Sequence, residues 1–159
     1  LDVEQILANA FGEAVIVDIP AAQVSEDTGV FFVDDSVVAR RKIAEVFDKL
    51  GVKYKNATNG LEAWERLKGL ASHAQQTGAS LREAARLILV DAEMPEMDGY
   101  VLTKNIKADS RFEGIPVIMH SSLSSEANRA MGQAVGVDAY VAKFDAEVLA
   151  DTLRPMLER

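Results

Sequence analysis

The stretch Arg86-Leu-Ile-Leu-Val-Asp-Ala-Glu-Met-Pro-Glu-Met-Asp-Gly99 constrains the fold more than any other part of the chain. Its first half, Leu87 to Val90, is short and wholly apolar, as in a strand covered on both faces of a parallel sheet. Asp91 ends that strand. A carboxylate at the carboxyl end of a buried central strand lies in the crevice where open α/β sheets hold ligands. Pro95 has no N–H for the ladder, and Asp98-Gly99 supplies turn chemistry and a helix start.

The same pattern recurs along the chain. Val30-Phe-Phe-Val33 is an apolar run ending on Asp34 and Asp35, followed by Ser36 as an N-cap and a stripe of Ile43, Val46, Phe47 and Leu50 that Gly51 terminates. Val52 to Ala57 reads as a weaker strand, and Asn59-Gly60 opens a helix with Leu61, Trp64, Leu67 and Leu70 on one face. Ser72 to Thr77 is polar and Gly78 breaks it, and Ser80-Leu-Arg-Glu83 has capping-box spacing, so the connection to Leu87 is helical. Tyr100 to Lys107 forms a helix facing the sheet through Leu102 and Ile106. Pro116 to Met119 is a strand ending at His120-Ser121, and Ser124 or Ser125 caps the next helix, closed by Gly136. Ala139 to Ala142 is the last strand and ends at Lys143. Asp145 caps a final helix with Leu149, Thr152, Leu153 and Met156 inward, which Pro155 should bend or end. Alternation of strand and helix predicts an α/β fold, a parallel sheet with helices on both faces.

Upstream, Leu1 to Phe11 carries the apolar spacing of a short amphipathic helix, and Asp18 to Gly29 is a polar stretch that reads as a linker. This divides the chain into residues 1–29, a residual upstream helix and linker, and a domain over 30–159. An opening on Leu1 rather than methionine points to a piece of a longer protein.

The formal net charge of −8 argues against nucleic-acid binding, which relies on lysine and arginine displacing phosphate counterions. With no cysteine, no signal peptide and no long apolar run, the expectation is a cytoplasmic protein without membrane insertion. Its partners should be proteins, cations or both.

Strand ends carry the chemistry. Asp34 and Asp35, Asp91, Ser121 and Lys143 converge on one edge of one sheet. Neighbouring carboxylates raise one another's pKa unless a cation neutralises them. Mg²⁺ meets that need, since it takes a few carboxylates and keeps waters that phosphate oxygens can replace. The Lys143 ammonium and Ser121 hydroxyl would then hold a phosphoryl group in transfer to Asp91, the candidate nucleophile.

The ordered set FFVDDS, ILVDAEMPEMDGY, IPVIMHSS and AYVAKF resembles the receiver domain of two-component response regulators, over Val30 to Arg159. The resemblance implies a doubly wound, flavodoxin-like five-stranded sheet of order 2-1-3-4-5. It implies Asp91 as phosphoacceptor, and Asp35, Asp91 and the Glu93 main-chain carbonyl as Mg²⁺ ligands, with Asp34 acting through water. Lys143 and Ser121 would bind the phosphoryl oxygens, and Ser121 with Tyr140 would form a switch pair. Such a domain is a signalling phosphoacceptor that assists its own phosphorylation and dephosphorylation, not an enzyme. More narrowly, the helical connection before the third strand, the EMPEMDGY and HSSLSS wording and the head LDVEQILA look like the CheV type of chemotaxis coupling protein. There a receiver follows a CheW-like domain, which would link the chain to the chemoreceptor array, with a chemotaxis-type histidine kinase as phosphodonor.

Two positions depart from the receiver pattern. Phe144 stands where receivers carry proline after the lysine, and a cis Lys143-Phe144 bond costs about 2.5–4 kcal/mol against about 0.5–1 for proline. Either a trans bond with a shifted loop or a cis bond is expected. Glu93 places an acid beside the metal. His120 points away from Ser121 and reads as a packed or partly exposed side chain, Trp64 as core, and Arg40, Arg41 and Lys42 as a solvated helix face. Rival functions are an aspartyl-phosphate phosphatase or mutase, for which Asp91-Ala92-Glu93 supplies the second acid, a flavin carrier, and a phosphate sink or structural coupling module that is not phosphorylated. The acidic first loop, Asp34-Asp35-Ser36, opposes the flavin reading.

Overall fold

In the computed structural model, which describes residues 18–122 and 125–159, the apolar runs become β1 (Gly29–Val33), β2 (Lys53–Ala57), β3 (Ile88–Asp91), β4 (Val117–Ser121) and β5 (Ala139–Ala142). The helices between and after them are α1 (Val37–Leu50), α2 (Gly60–Thr77), α3 (Leu81–Ala84), α4 (Gly99–Ala108), α5 (Glu126–Val135) and α6 (Ala146–Leu157), with a 3-10 turn at Ser110–Phe112. All neighbouring strands are parallel, and their order is β2-β1-β3-β4-β5. The expected doubly wound sheet is therefore present.

Side chains alternate across the sheet, so each central strand feeds two cores. Val30, Phe32, Leu89, Ile118 and Val141 meet α1 and α6 on one face. Phe31, Val33, Ile88, Val90 and Val117 meet α2 and α4 on the other. Edge strand β2 is mostly exposed, which explains its weak apolar signal.

Local signals set most helix ends. The Ser36 hydroxyl accepts from the Ala39 N–H, and Gly51, at φ 78°, donates back to the Phe47 and Asp48 carbonyls. Asn59 and Asp98 cap α2 and α4, and Ser125 caps α5; Ser124 lies outside the described residues, as does the helix expected at Leu1 to Phe11.

Expectations for α2 and for Ser80 are corrected. The buried stripe of α2 is Gly60, Ala63, Leu67 and Ala71, leaving Leu61 exposed and Trp64 half-buried against Phe112. Gly60 sets this rotation, because a Cβ there would overlap the Met97 carbonyl. Helix α2 also runs through the polar residues to Thr77, and Ser80 makes no side-chain cap bond to α3. Helix α6 turns Leu149, Ala150, Leu153 and Leu157 inward, with Met156 partly buried against the same core, and does not end at Pro155 but continues to Leu157. The stretch read as a linker lies against the domain. Ile19 and Ala22 join the core under α1 and α6, the Ala22 N–H donates to the Leu50 carbonyl (3.0 Å), and Arg154 donates to the Pro20 carbonyl (3.1 Å). Among the described residues no helix is long and apolar enough to cross a membrane.

Candidate functional site

Parallel pairing brings the strand ends to one edge of the sheet. Asp34 follows β1 and is fully buried; its Oδ1 accepts from the Ser36 N–H at 2.9 Å and its Oδ2 lies 2.8 Å from Lys143 Nζ. Its carbonyl accepts from Arg40 Nη1 at 2.7 Å, so Arg40 is tied to the site rather than merely solvated. Asp91 ends β3 at 1 % exposure. Its Oδ1 lies 3.0 Å from Lys143 Nζ and accepts from the Glu93 N–H at 3.3 Å. Gly99 makes this position possible, since a Cβ there would overlap the Asp91 carbonyl. Asp35 is exposed on the rim, and Asp34, Asp35 and Asp91 bring one carboxylate oxygen each within 4.8 Å of the others.

Lys143 is positioned by the Ser121 carbonyl, which accepts its backbone N–H at 2.8 Å. The Lys143-Phe144 bond is cis. Ser121, fully buried at the end of β4, donates its hydroxyl to Glu93 Oε1 at 2.5 Å. Tyr140 on β5 is half-buried; its ring rests against Gly132, the Arg129 guanidinium lies 5.1 Å from the ring centroid, and its side chain hydrogen-bonds that of Tyr100. Burial and the Tyr140 hydroxyl push the Tyr100 phenol up to about 12.

Electrostatics follow from this crowding. Burial, then the Asp34 carboxylate, raise the Asp91 pKa to about 8 against the pull of Lys143. Burial disfavours the Lys143 ammonium, but its hydrogen bond to Asp34 and the charges of Asp91 and Asp34 outweigh it and raise its pKa. One ammonium thus serves two buried carboxylates. Asp91 Oδ2 is buried with no donor among the described residues. A buried carboxylate oxygen left unpaired, beside two more acids, is the donor set of a hard divalent cation.

Asp34, Asp35, Asp91 and Lys143 form this cluster, Ser121 adjoins it through Glu93, and His120 lies on the other face of its strand. Three contacts were not legible in the sequence: Glu93 on Ser121, Arg40 on the Asp34 carbonyl, and Tyr100 on Tyr140. The acid two residues after Asp91 gives a prior signal, and the basic run Arg40 to Lys42 a weaker one as a candidate offset to the acidic pocket, whereas the Tyr100 contact depends on how helices are rotated against the sheet.

Residues 30–154 match the family described as response regulator receiver domain. The chain is 34% identical over 130 residues to the chemotaxis protein CheV3 of Helicobacter pylori, spanning 82% of this chain and 41% of that protein. It is 34% identical over 127 residues to the chemotaxis protein CheY1 of the same organism, spanning 79% of this chain and 93% of that protein. It therefore covers nearly all of CheY1 but less than half of CheV3. Among solved structures, the chemotaxis response regulator CheY4 of Vibrio cholerae aligns with a TM-score of 0.65 at 27% identity, over 82% of this chain and 98% of that one.

Proposed function

The chain belongs to the response regulator receiver domain family, and from that premise we propose that Asp91 accepts a phosphoryl group from a chemotaxis-type histidine kinase. The observation that carries this reading is Asp91 itself: a buried carboxylate 3.0 Å from an ammonium, with a second oxygen that has no donor among the described residues and two acids beside it. A carboxylate oxygen of Asp91 forms the new P–O bond as the P–N bond of the donor's phosphohistidine breaks, and the imidazole keeps that electron pair.

Asp35, Asp91 and the Glu93 carbonyl would hold Mg²⁺, with Asp34 acting through water. When bound, the ion neutralises the carboxylates and the charge on the phosphoryl oxygens. Lys143 has no lone pair for a metal while protonated, so its role is to donate to phosphoryl oxygen. Ser121 donates to another. Tyr140 reads the change: turning inward takes its ring off Gly132, the one buried residue of α5, and so loosens that helix. The domain is a phosphoacceptor rather than an enzyme with turnover, cytoplasmic, and coupled to the chemoreceptor array through an upstream CheW-like domain.

Intact mass after incubation with a small phosphodonor tests this. One phosphoryl mass should appear with Mg²⁺ and not without it, and Asp91→Asn should abolish it. Labelling that needs no metal, or that survives Asp91→Asn, would reject the assignment.

A further inference from the structure

In the phosphorylated domain the Ser121 hydroxyl would donate to a phosphoryl oxygen, yet in this structure it already donates to Glu93 Oε1 at 2.5 Å. A serine hydroxyl carries one proton, and an ionised glutamate is an acceptor only. The phosphoryl group on Asp91 and the Glu93 carboxylate therefore compete for a single donor. The competition is local, because the Glu93 N–H also donates to Asp91 Oδ1 at 3.3 Å and its side chain lines the open pocket with Asp35, Met94 and Tyr100. Ser121 is fully buried, so water is a poor substitute for either acceptor.

We infer that Glu93 is a positioning residue acting through Ser121, a latch that holds the hydroxyl in the unphosphorylated arrangement and must be displaced when Asp91 is loaded. The inference rests on the phosphoacceptor reading. Hydrogen bonds to charged groups are among the stronger ones in proteins, so removing this one should shift the balance measurably toward the loaded state. Repulsion between the Glu93 charge and an incoming anion would act in the same direction. The two causes separate only through Ser121.

The test is beryllofluoride affinity at saturating Mg²⁺ for the wild type, Glu93→Ala, Glu93→Gln, Ser121→Ala and the Ser121→Ala/Glu93→Ala pair, each first checked for a cooperative thermal melt. Glu93→Ala should bind about tenfold tighter, the low end for releasing a bond to a charged group. Glu93→Gln, which keeps an uncharged acceptor, should fall between. In the Ser121→Ala background Glu93→Ala should change affinity less than about twofold, since the contact is already gone. Equal affinity of wild type and Glu93→Ala overturns the latch and leaves the phosphoacceptor reading standing. Tightening of the same size without Ser121 also overturns it, in favour of plain charge repulsion. Failure of every variant and of the wild type to bind beryllofluoride rejects the phosphoacceptor reading and the latch with it.

Discussion

Asp91 and His120 are register partners on adjacent strands, each 1 % exposed, and each carries polar atoms without a hydrogen-bond partner among the described residues. Burial penalises the charged form of both and so moves them in opposite directions, Asp91 up to about 8 and His120 down to about 3. What differs is the surroundings. Asp91 has an ammonium at 3.0 Å and two further carboxylates, one of them on the exposed rim. His120 has the edge-on ring of Phe144 at 5.5 Å, and the nearby Lys143 charge lowers its pKa further. A displaced pKa by itself marks burial. It marks a site only where charge partners and an opening accompany it.

The largest effect should come from removing the carboxylate. Asp91→Asn should lose the phosphoryl label completely. It should also stabilise the metal-free fold relative to wild type, by a margin that grows by up to about 1.4 kcal/mol per pH unit as pH rises toward about 8. The sign follows from proton uptake: with its folded pKa raised from 3.8 to about 8, Asp91 keeps a proton that the unfolded chain gives up, so it costs stability as pH rises through that window. Urea unfolding without Mg²⁺ measures this. A less stable Asp91→Asn at pH 8 would mean that the pair with Lys143 outweighs burial.

Metal binding sharpens the contrast next. Because the cation must displace the Asp91 proton, Mg²⁺ affinity should rise about tenfold per pH unit between about 6 and 8 and then level off. His120 should contribute nothing to that slope, being neutral throughout. Calorimetric titration at several pH values reads it, and a flat profile would show Asp91 already ionised in the metal-free protein. Lys143→Ala should bind Mg²⁺ as well or better, since it removes a cation that neutralises the same carboxylates. Weaker binding would make Lys143 a structural support of the metal site.

Which of these features can be read from the chain depends on their range. The ends of apolar runs are local signals, so Asp34, Asp35, Asp91, Ser121 and Lys143 could be placed on one edge before any coordinates. Leu61 could not be placed, because the rotation of α2 is set by Gly60 meeting Met97 from another loop. The Glu93 to Ser121 bond spans two strand ends and depends on the path of the turn after β3, where Glu96 and Met97 adopt φ of 56° and 101°. Strand alternation alone turns His120 away from Ser121, toward Phe144. That both its nitrogens would lack partners among the described residues, beside the edge-on ring of Phe144, is not a local signal.

The smallest effect, and the closest test of the contrast, concerns His120. Its folded pKa lies below its unfolded value, so the unfolded chain gains a proton first and the fold loses stability as pH falls from 6.5 to about 3. Asp91 works the other way between 3.8 and about 8. The two slopes oppose each other where the windows overlap, from 3.8 to 6.5, and each acts alone outside it. His120→Leu, close in volume and without nitrogens to satisfy, should change stability at pH 7 by less than about 1.5 kcal/mol and leave Mg²⁺-dependent labelling intact. Its difference from wild type should grow in its favour by about 1 kcal/mol per pH unit on acidification below pH 6. A large loss at pH 7 would show that the imidazole has a polar partner worth keeping. A difference that does not vary with pH would show that His120 protonates as readily in the fold as in the open chain.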